Sequence, residues 1–249
     1  MQLYFIRHGQ SANNANWDKK GENAYERSSD PHLTELGNRQ AQALAAFIAS
    51  TQSDSDHVSV GGYRHSVNIT HLYSSLMIRA IQTGTILSET LGIPLYGLPD
   101  AHEIGGVYLE REIDGVSTVS FEHGVTSAYL QENYPHIQHL QPIHERGWWQ
   151  GGREDPDASL SRAERLLQYL RNRHLGSGHK VAVVTHGGFF NSMMRVLFSI
   201  NTEELENRNL PTWFSFCNCA ITRLDLVNDR VELTYHNRTS FMEDELVTC

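Results

Sequence analysis

The segment "KVAVVT" at residues 180–185 constrains the fold of this 249-residue chain most strongly. It is a nearly continuous apolar run, the pattern of a strand that is buried on both faces. Strands of this kind are typical of parallel sheets with helices packed on each side. A helix is predicted immediately afterwards, at about residues 188–199. The segment therefore predicts an α/β domain.

The rest of the chain alternates between short apolar runs and amphipathic stretches. Residues 3–6 predict a strand, and Leu72-Tyr73 end a second one. Thr34 is the predicted N-cap of one helix, Gly92 the predicted end of another, and Ser159 or Ser161 the predicted cap of a third. Two late strands, at 220–226 and 231–236, are separated by a predicted hairpin turn at Asn228-Asp229. The order of elements predicts a three-layer α/β/α sandwich with a mostly parallel central sheet.

The chain is interpreted as one domain over residues 1–249. Residues 105–157 interrupt the alternation, since they are rich in Gly, His, Glu and aromatic residues without a clear period. This stretch is interpreted as an insertion over one edge of the sheet, and we expect it to act as a lid that sets specificity. An ordinary long connection without a lid function is the alternative, and composition does not distinguish the two.

Composition narrows the classes of partner. The formal net charge is -9, so a generally acidic surface disfavours nucleic acid and anionic lipid, and bound anions require a local cluster of positive groups. No apolar run approaches the roughly 20 residues of a membrane span. The three cysteines, Cys217, Cys219 and Cys249, do not form an even disulfide framework. Reduced thiols and a cytoplasmic location are therefore expected.

Positively charged or ionisable side chains follow three predicted strands. Arg7-His8-Gly9 ends the first strand, Arg79 lies just past the second, and His186 lies between the buried strand and its helix, followed by Gly187-Gly188. Ligands of open α/β sheets bind beyond the carboxyl ends of the strands, and a helix N-terminus attracts anions. Each group alone is more typical of a solvated strand end or a satisfied loop histidine. Together they predict a cradle for a phosphate or carboxylate.

Five segments in order resemble the histidine phosphatase (phosphoglycerate mutase-like) superfamily. They are "FIRHGQSANN", "HLTELGNRQAQAL", "YSSLMIRAIQTGTIL", "DAHEIGG" and "VAVVTHGG". The resemblance implies that His8 is the nucleophile, that Arg7, Arg79 and His186 hold the phosphoryl group, and that Glu103 is the acid/base carboxylate. It also implies a phosphoryl contact for Asn14, and the Gly187 amide is expected to bind substrate at the helix start.

The implied reaction is metal-independent hydrolysis of a small phosphomonoester through a phosphohistidine, without a cofactor. His8 is expected to be neutral with its other ring nitrogen bonded to a backbone carbonyl, and Glu103 to begin protonated because of burial. The 14 histidines leave a metal site open as an alternative, although no His-x-x-x-His or His-x-Glu-x-His spacing occurs around the motif residues.

Two other functions remain open on the sequence. Mutases of the family follow the catalytic Glu with an Arg-His-Tyr-Gly-type segment and use a later Lys for the substrate carboxylate. Here Ile104-Gly105-Gly106 follow Glu103 and no Lys occurs between Lys20 and Lys180, which favours hydrolysis, although Arg111, Arg146 or Arg153 can meet a carboxylate. A non-catalytic phosphoprotein-binding module is disfavoured because both His8 and Glu103 are present.

Overall fold

The computed structural model describes residues 1–18, 27–52, 66–113, 116–200, 212–227 and 230–249. Its strands are β1 Gln2–Arg7, β2 His71–Ser74, β3 Leu95–Gly97, β4 Tyr108–Ile113, β5 Val116–Phe121, β6 Ile137–His139, β7 Lys180–Thr185, β8 Ile221–Val227 and β9 Arg230–Arg238. The helices are α1 Ala12–Asp18, α2 Glu35–Gln52, α3 Ile78–Leu91, α4 Ser127–Asn133, α5 Pro156–His174 and α6 Gly187–Leu197.

The central sheet has seven strands in the order β6-β3-β2-β7-β1-β8-β9. The pairings from β6 to β1 are parallel, whereas β8 and β9 are antiparallel to their neighbours. The predicted buried strand, β7, lies at the centre, and its residues 181–185 are buried. One core contains apolar residues of α2 and α3, and a second contains those of α5 and α6. The three-layer sandwich is therefore confirmed.

The helix ends test the predicted caps. Thr34 Oγ1 accepts a hydrogen bond from the Gly37 amide at 3.0 Å, and Gly92 ends α3 with a φ of 65°, so both predictions are confirmed. The predicted caps at Ser159 and Ser161 are wrong. Asp155 caps α5 instead, because its carboxylate accepts the Ala158 amide at 2.7 Å and Pro156 supplies a fixed φ at the first turn.

Only part of the stretch at 105–157 lies outside the central sheet, whereas the sequence indicates a single insertion. The hairpin of β4 and β5 forms a separate two-stranded sheet, but β6 pairs in parallel with β3 at the edge of the central sheet. The last residues of the stretch cap and begin α5. A three-residue strand such as β6 is too short to produce a visible period, which is why the sequence did not reveal it.

The expectation of three reduced thiols is wrong. Cys217 and Cys249 form a disulfide across 32 residues of sequence, and Cys219 is a buried free thiol. The thiols therefore no longer support a cytoplasmic location. Among the helices described, none is long and apolar enough to cross a membrane. The predicted turn at Asn228-Asp229 lies outside the described residues.

Candidate active site

His8 follows β1 at the carboxyl end of the sheet and is buried. Its Nδ1 lies 2.6 Å from the Gly9 carbonyl oxygen, an acceptor, so Nδ1 carries the hydrogen and the lone pair is on Nε2. Burial first, and then the charges of Arg79 and Arg7, hold the pKa of His8 well below its usual range. His8 is therefore a neutral imidazole with one nitrogen fixed by the backbone, as the sequence predicts.

Arg79, in the first turn of α3, connects the nucleophile candidate to a buried acid. Its Nε donates to His8 Nε2 at 3.1 Å, and its Nη1 lies 3.7 Å from Asp30 Oδ1. The same Asp30 oxygen accepts the Ile78 amide at 2.9 Å. Burial raises the pKa of Asp30 to about 6, against the opposing charge of Arg79. Asp30 thus orients Arg79, and it was not predicted because it lies in a loop without periodicity.

His186 is the N-cap residue of α6 and is fully buried. Its ring centroid lies 5.1 Å from that of His8, and its Nε2 lies 2.9 Å from Ser75 Oγ. Its Nδ1 has no hydrogen-bond partner among the described residues. Burial first, then the neighbouring Arg79, keeps the pKa of His186 well below its usual range. A neutral ring whose Nε2 accepts from Ser75 presents an unused N–H donor at Nδ1.

Glu103 occupies the N-terminus of α6. Its Oε2 accepts the Gly188 amide at 3.2 Å, and its Oε1 accepts the amides of Phe189 at 2.8 Å and Ile104 at 2.9 Å. These three hydrogen bonds hold the carboxyl group at the start of α6. The amides of Gly188 and Phe189 are therefore occupied by Glu103 and are not open to phosphate, and the initial protonation of Glu103 stays a prediction.

Two glycines are required by close backbone approach. A Cβ at Gly188 would lie 2.6 Å from Glu103 Oε1, so only glycine lets the carboxylate reach the helix end. A Cβ at Gly9 would lie 2.4 Å from the Gly37 carbonyl oxygen. Gly9 therefore permits close packing of the loop after β1 against the start of α2.

Six of the seven residues selected from the sequence line one cavity of about 670 Å³; they are Arg7, His8, Asn14, Arg79, Glu103 and Gly187. His186 is absent from this lining, although its ring is next to that of His8. Asn14 Oδ1 accepts from the Ser11 amide at 3.1 Å and from Ser11 Oγ at 3.0 Å, so its NH₂ group is the end that can donate. Arg7 donates to the Phe216 carbonyl.

Several residues of the site were missed by the sequence analysis. Ser11 and Arg27 also line the cavity, as does Trp213. Asn218 Nδ2 donates to the His8 carbonyl at 2.9 Å. Ser11 lies within the "RHGQSANN" segment and was accessible to motif reasoning, whereas Asn218 reaches the site only through the antiparallel β8 region.

The buried Arg162 fixes the segment that precedes Glu103. Its Nη1 donates to the carbonyls of Asp100 at 2.8 Å and His102 at 2.9 Å, and its Nε donates to Glu154 at 2.7 Å. The guanidinium also lies over the Phe189 ring at 4.2 Å. Arg162 therefore orients both the Glu103 backbone and the first turn of α6.

The family model of the histidine phosphatase superfamily (branch 1) matches residues 3–239. The chain belongs to the histidine phosphatase superfamily. A probable phosphoglycerate mutase GpmB of Yersinia pestis is 24% identical over 234 residues, 90% of this chain and 85% of that protein.

Solved structures of other histidine phosphatases share the fold of this superfamily member. Bacillus stearothermophilus YhfR has a TM-score of 0.59 at 18% identity and covers 97% of this chain and 99% of its own. Mycobacterial glucosyl-3-phosphoglycerate phosphatase has a TM-score of 0.56 at 20% identity, with coverages of 96% and 99%. At this identity, the similarity establishes the fold alone.

Proposed function

We propose that this histidine phosphatase superfamily member hydrolyses small phosphomonoesters through a phosphohistidine at His8. One observation carries the proposal: His8 Nδ1 is fixed on the Gly9 carbonyl, which leaves Nε2 as a neutral nucleophile beside Arg79 and within the cavity that Glu103 also lines. A neutral imidazole in a positively charged pocket is suited to attack on an anionic phosphoryl group.

The first half-reaction begins with binding of the phosphoryl oxygens by Arg7, Arg79 and Asn14. Arg79 turns from His8 Nε2 to a phosphoryl oxygen, which frees the lone pair. Nε2 then forms a bond to phosphorus as the bond from phosphorus to the ester oxygen breaks, and the leaving oxygen takes its electron pair and a proton from Glu103. The His186 Nδ1–H stabilises charge near His8.

Glu103 carries that proton in the proposed substrate complex. Three amides hold its carboxyl group, and a phosphate dianion in the same cavity favours the protonated form, because like charge favours protonation of a carboxylate. In the second half-reaction Glu103 removes a proton from water, whose oxygen forms a bond to phosphorus as the bond to Nε2 breaks. Phosphate and neutral His8 result.

The leaving group is expected to extend into an adjoining cavity of about 500 Å³. Ile104, Tyr108 and Trp213 line both cavities, and Arg153 and Arg195 line the adjoining one. Tyr108 begins β4, so the start of the 105–157 stretch forms part of the wall. This placement supports the proposal that the stretch determines which phosphorylated metabolite binds.

Mutase activity is the second candidate, and Arg153 is the observation that favours it. Of the three arginines considered for a substrate carboxylate, Arg153 lines the adjoining cavity, whereas Arg111 and Arg146 are absent from the described lining of both cavities. Arg153 lies over the Tyr108 ring at 5.4 Å. A phosphorylated sugar acid reaching from His8 to Arg153 fits this arrangement, in agreement with the relative named a probable mutase.

A panel of phosphorylated metabolites tests the proposal, with phosphate release and isomer formation measured in parallel on 3-phosphoglycerate. We expect phosphate release from at least one metabolite, abolished in His8→Ala and unchanged in His136→Ala, an exposed histidine elsewhere. Chelator should leave the rate unchanged. Isomer formation without net phosphate release would instead establish the mutase, and loss of activity in chelator that a divalent metal restores would overturn metal independence.

A further inference from the structure

Three histidines come together at the end of the sheet opposite to His8. His71 begins β2, His174 ends α5, and His179 immediately precedes β7. One ring nitrogen from each histidine lies within 4.8 Å of the corresponding nitrogens of the other two. His174 is fully buried, and the other two are partly exposed. Since β7 has six residues, the cluster lies roughly 20 Å from His186 along that strand.

We propose that His71, His174 and His179 form a zinc-binding site that is separate from the phosphoryl pocket. Imidazole nitrogen is a preferred ligand of Zn²⁺, and three histidines with one open position form a known class of zinc site. The Nδ1 atoms of His174 and His179 are 3.0 Å apart. Two ligand nitrogens of tetrahedral zinc are about 3.3 Å apart, so these two rings are close to the spacing needed to bind one zinc ion.

The outer contacts of two of the rings support this assignment. Metal-binding histidines usually use their second nitrogen for a hydrogen bond that fixes the ring. His174 Nε2 lies 2.9 Å from the hydroxyl of Tyr73, which is fully buried. His71 Nδ1 lies 2.9 Å from Thr70 Oγ1. Each ring is thus held through one nitrogen, and the other nitrogen remains available as a ligand.

The backbone around the cluster is fixed as well. Two hydrogen bonds join Thr70 to Lys180. The Thr70 amide donates to the Lys180 carbonyl at 2.8 Å, and the Lys180 amide donates to Thr70 Oγ1 at 3.0 Å. Gly176 and Gly178 have φ of 80° and 73°, a left-handed conformation that lets the chain reverse between His174 and His179. The three ligands therefore come from a rigid strand pair and a tight turn.

Zinc takes the place of the hydrogen between the Nδ1 atoms of His174 and His179. The ring that carried this hydrogen on Nδ1 then carries it on Nε2, so both Nδ1 atoms can bind the metal. Water or a small anion completes the coordination. Because the cluster faces away from His8, zinc there is expected to stabilise the fold without taking part in phosphoryl transfer.

The test uses the full-length, tag-free protein, stripped with chelator and then freed of it. Titration with Zn²⁺ by calorimetry, and with Co²⁺ by visible absorption, should give one equivalent bound and the spectrum of a four-coordinate site. His71→Ala and His179→Ala should each lower the affinity by at least about 10-fold, whereas His136→Ala should bind as the wild type does. The wild type should also unfold at a higher temperature in the presence of Zn²⁺.

Two results would overturn the proposal. One is Zn²⁺ binding that is unchanged in both His71→Ala and His179→Ala, which would assign the metal to another site such as the His8 pocket. The other is no stoichiometric uptake by folded wild-type protein, which would make the cluster a hydrogen-bonded histidine network only. Aryl phosphatase activity, measured with and without Zn²⁺, reports on the proposed function separately and should not change with occupancy of this site.

Discussion

Arg79 Nε donates a hydrogen bond to His8 Nε2 at 3.1 Å, so the side chain expected to bind phosphate also contacts the proposed nucleophilic nitrogen in the free protein. Burial first, and then the positive charge of Arg79, lowers the pKa of His8. In the proposed mechanism the same arginine helps to keep the imidazole neutral before substrate binds and then binds the phosphoryl group. Asp30 contacts Arg79 and accepts the Ile78 amide at the start of α3, and these contacts hold Arg79 beside His8.

Glu103→Gln is expected to slow hydrolysis of alkyl phosphates about 10²–10⁴-fold and that of p-nitrophenyl phosphate much less. An alkoxide needs a proton as it leaves, whereas nitrophenolate hardly does. Steady-state rates on both substrates provide the measurement, with Glu164→Gln, an exposed carboxylate of α5, as the control. Equal losses on both substrates would move the acid role to Glu110 or Glu112.

A rapidly quenched reaction is expected to leave an acid-labile, base-stable phosphoryl group on the peptide that contains His8. His8→Ala should abolish the label. His186→Ala should retain slow labelling, because in the proposed mechanism His186 supplies charge stabilisation and does not attack phosphorus. Peptide mapping by mass spectrometry distinguishes the two histidines, and label on the His186 peptide would reverse their roles.

Arg162→Met is expected to impair alkyl phosphate hydrolysis more than aryl phosphate hydrolysis, as Glu103→Gln does. Arg162 donates to the carbonyls of Asp100 and His102, so its loss frees the segment that positions the acid. Arg173→Met is the matched control, because Arg173 is an exposed residue near the other end of the same helix. A loss that is independent of leaving group would assign Arg162 a purely structural role.

The free energy of unfolding is expected to decrease as the pH falls below about 6.5. The pKa values of His8 and His186 are well below 6.5 in the folded state, and that of His102 is about 3. The unfolded chain therefore binds more protons in this range, with a slope of up to about 1.4 kcal/mol per pH unit for each histidine.

Asp30 acts in the opposite direction between its unfolded pKa and about 6, because the folded state takes up its proton first. Urea denaturation at pH 7.5, 6.0 and 5.0 measures the net effect. Three histidines against one carboxyl should still give a clear loss of stability at pH 5.0. Constant stability over this range would mean that the histidines are accessible to protons in the folded protein.

Cys249→Ser is expected to lower the free energy of unfolding by roughly 2–4 kcal/mol, the usual effect of removing a disulfide that closes a loop of about this length. A dithiol reductant should destabilise the wild type to the same extent and leave the variant unchanged. Intact mass distinguishes the oxidised and reduced forms by about two hydrogens. Equal stability of the oxidised and reduced wild type would contradict this expectation.

Local sequence signals predicted the features that depend on neighbouring residues. The apolar run of β7 identified the centre of the sheet, and Thr34 and Gly92 identified helix ends, because periodicity and capping act over a few residues. Arg7, His8, Arg79 and Glu103 were accessible because each belongs to a short segment of the family pattern. The caps Ser159 and Ser161 failed since Asp155 and Pro156 compete for the same helix start.

The sequence by itself determined the α/β class and the superfamily, and it identified the candidate residues for phosphate chemistry, because all three depend on short segments of the chain. Only the tertiary structure decided which distant groups serve them: Asp30 beside Arg79, Asn218 on the His8 carbonyl, and Cys249 bonded to Cys217. These contacts arise when parallel strands bring their carboxyl ends together and the C-terminal residues return to the same edge. These residues belong to no periodic pattern in the sequence, so their contacts could not be predicted from it.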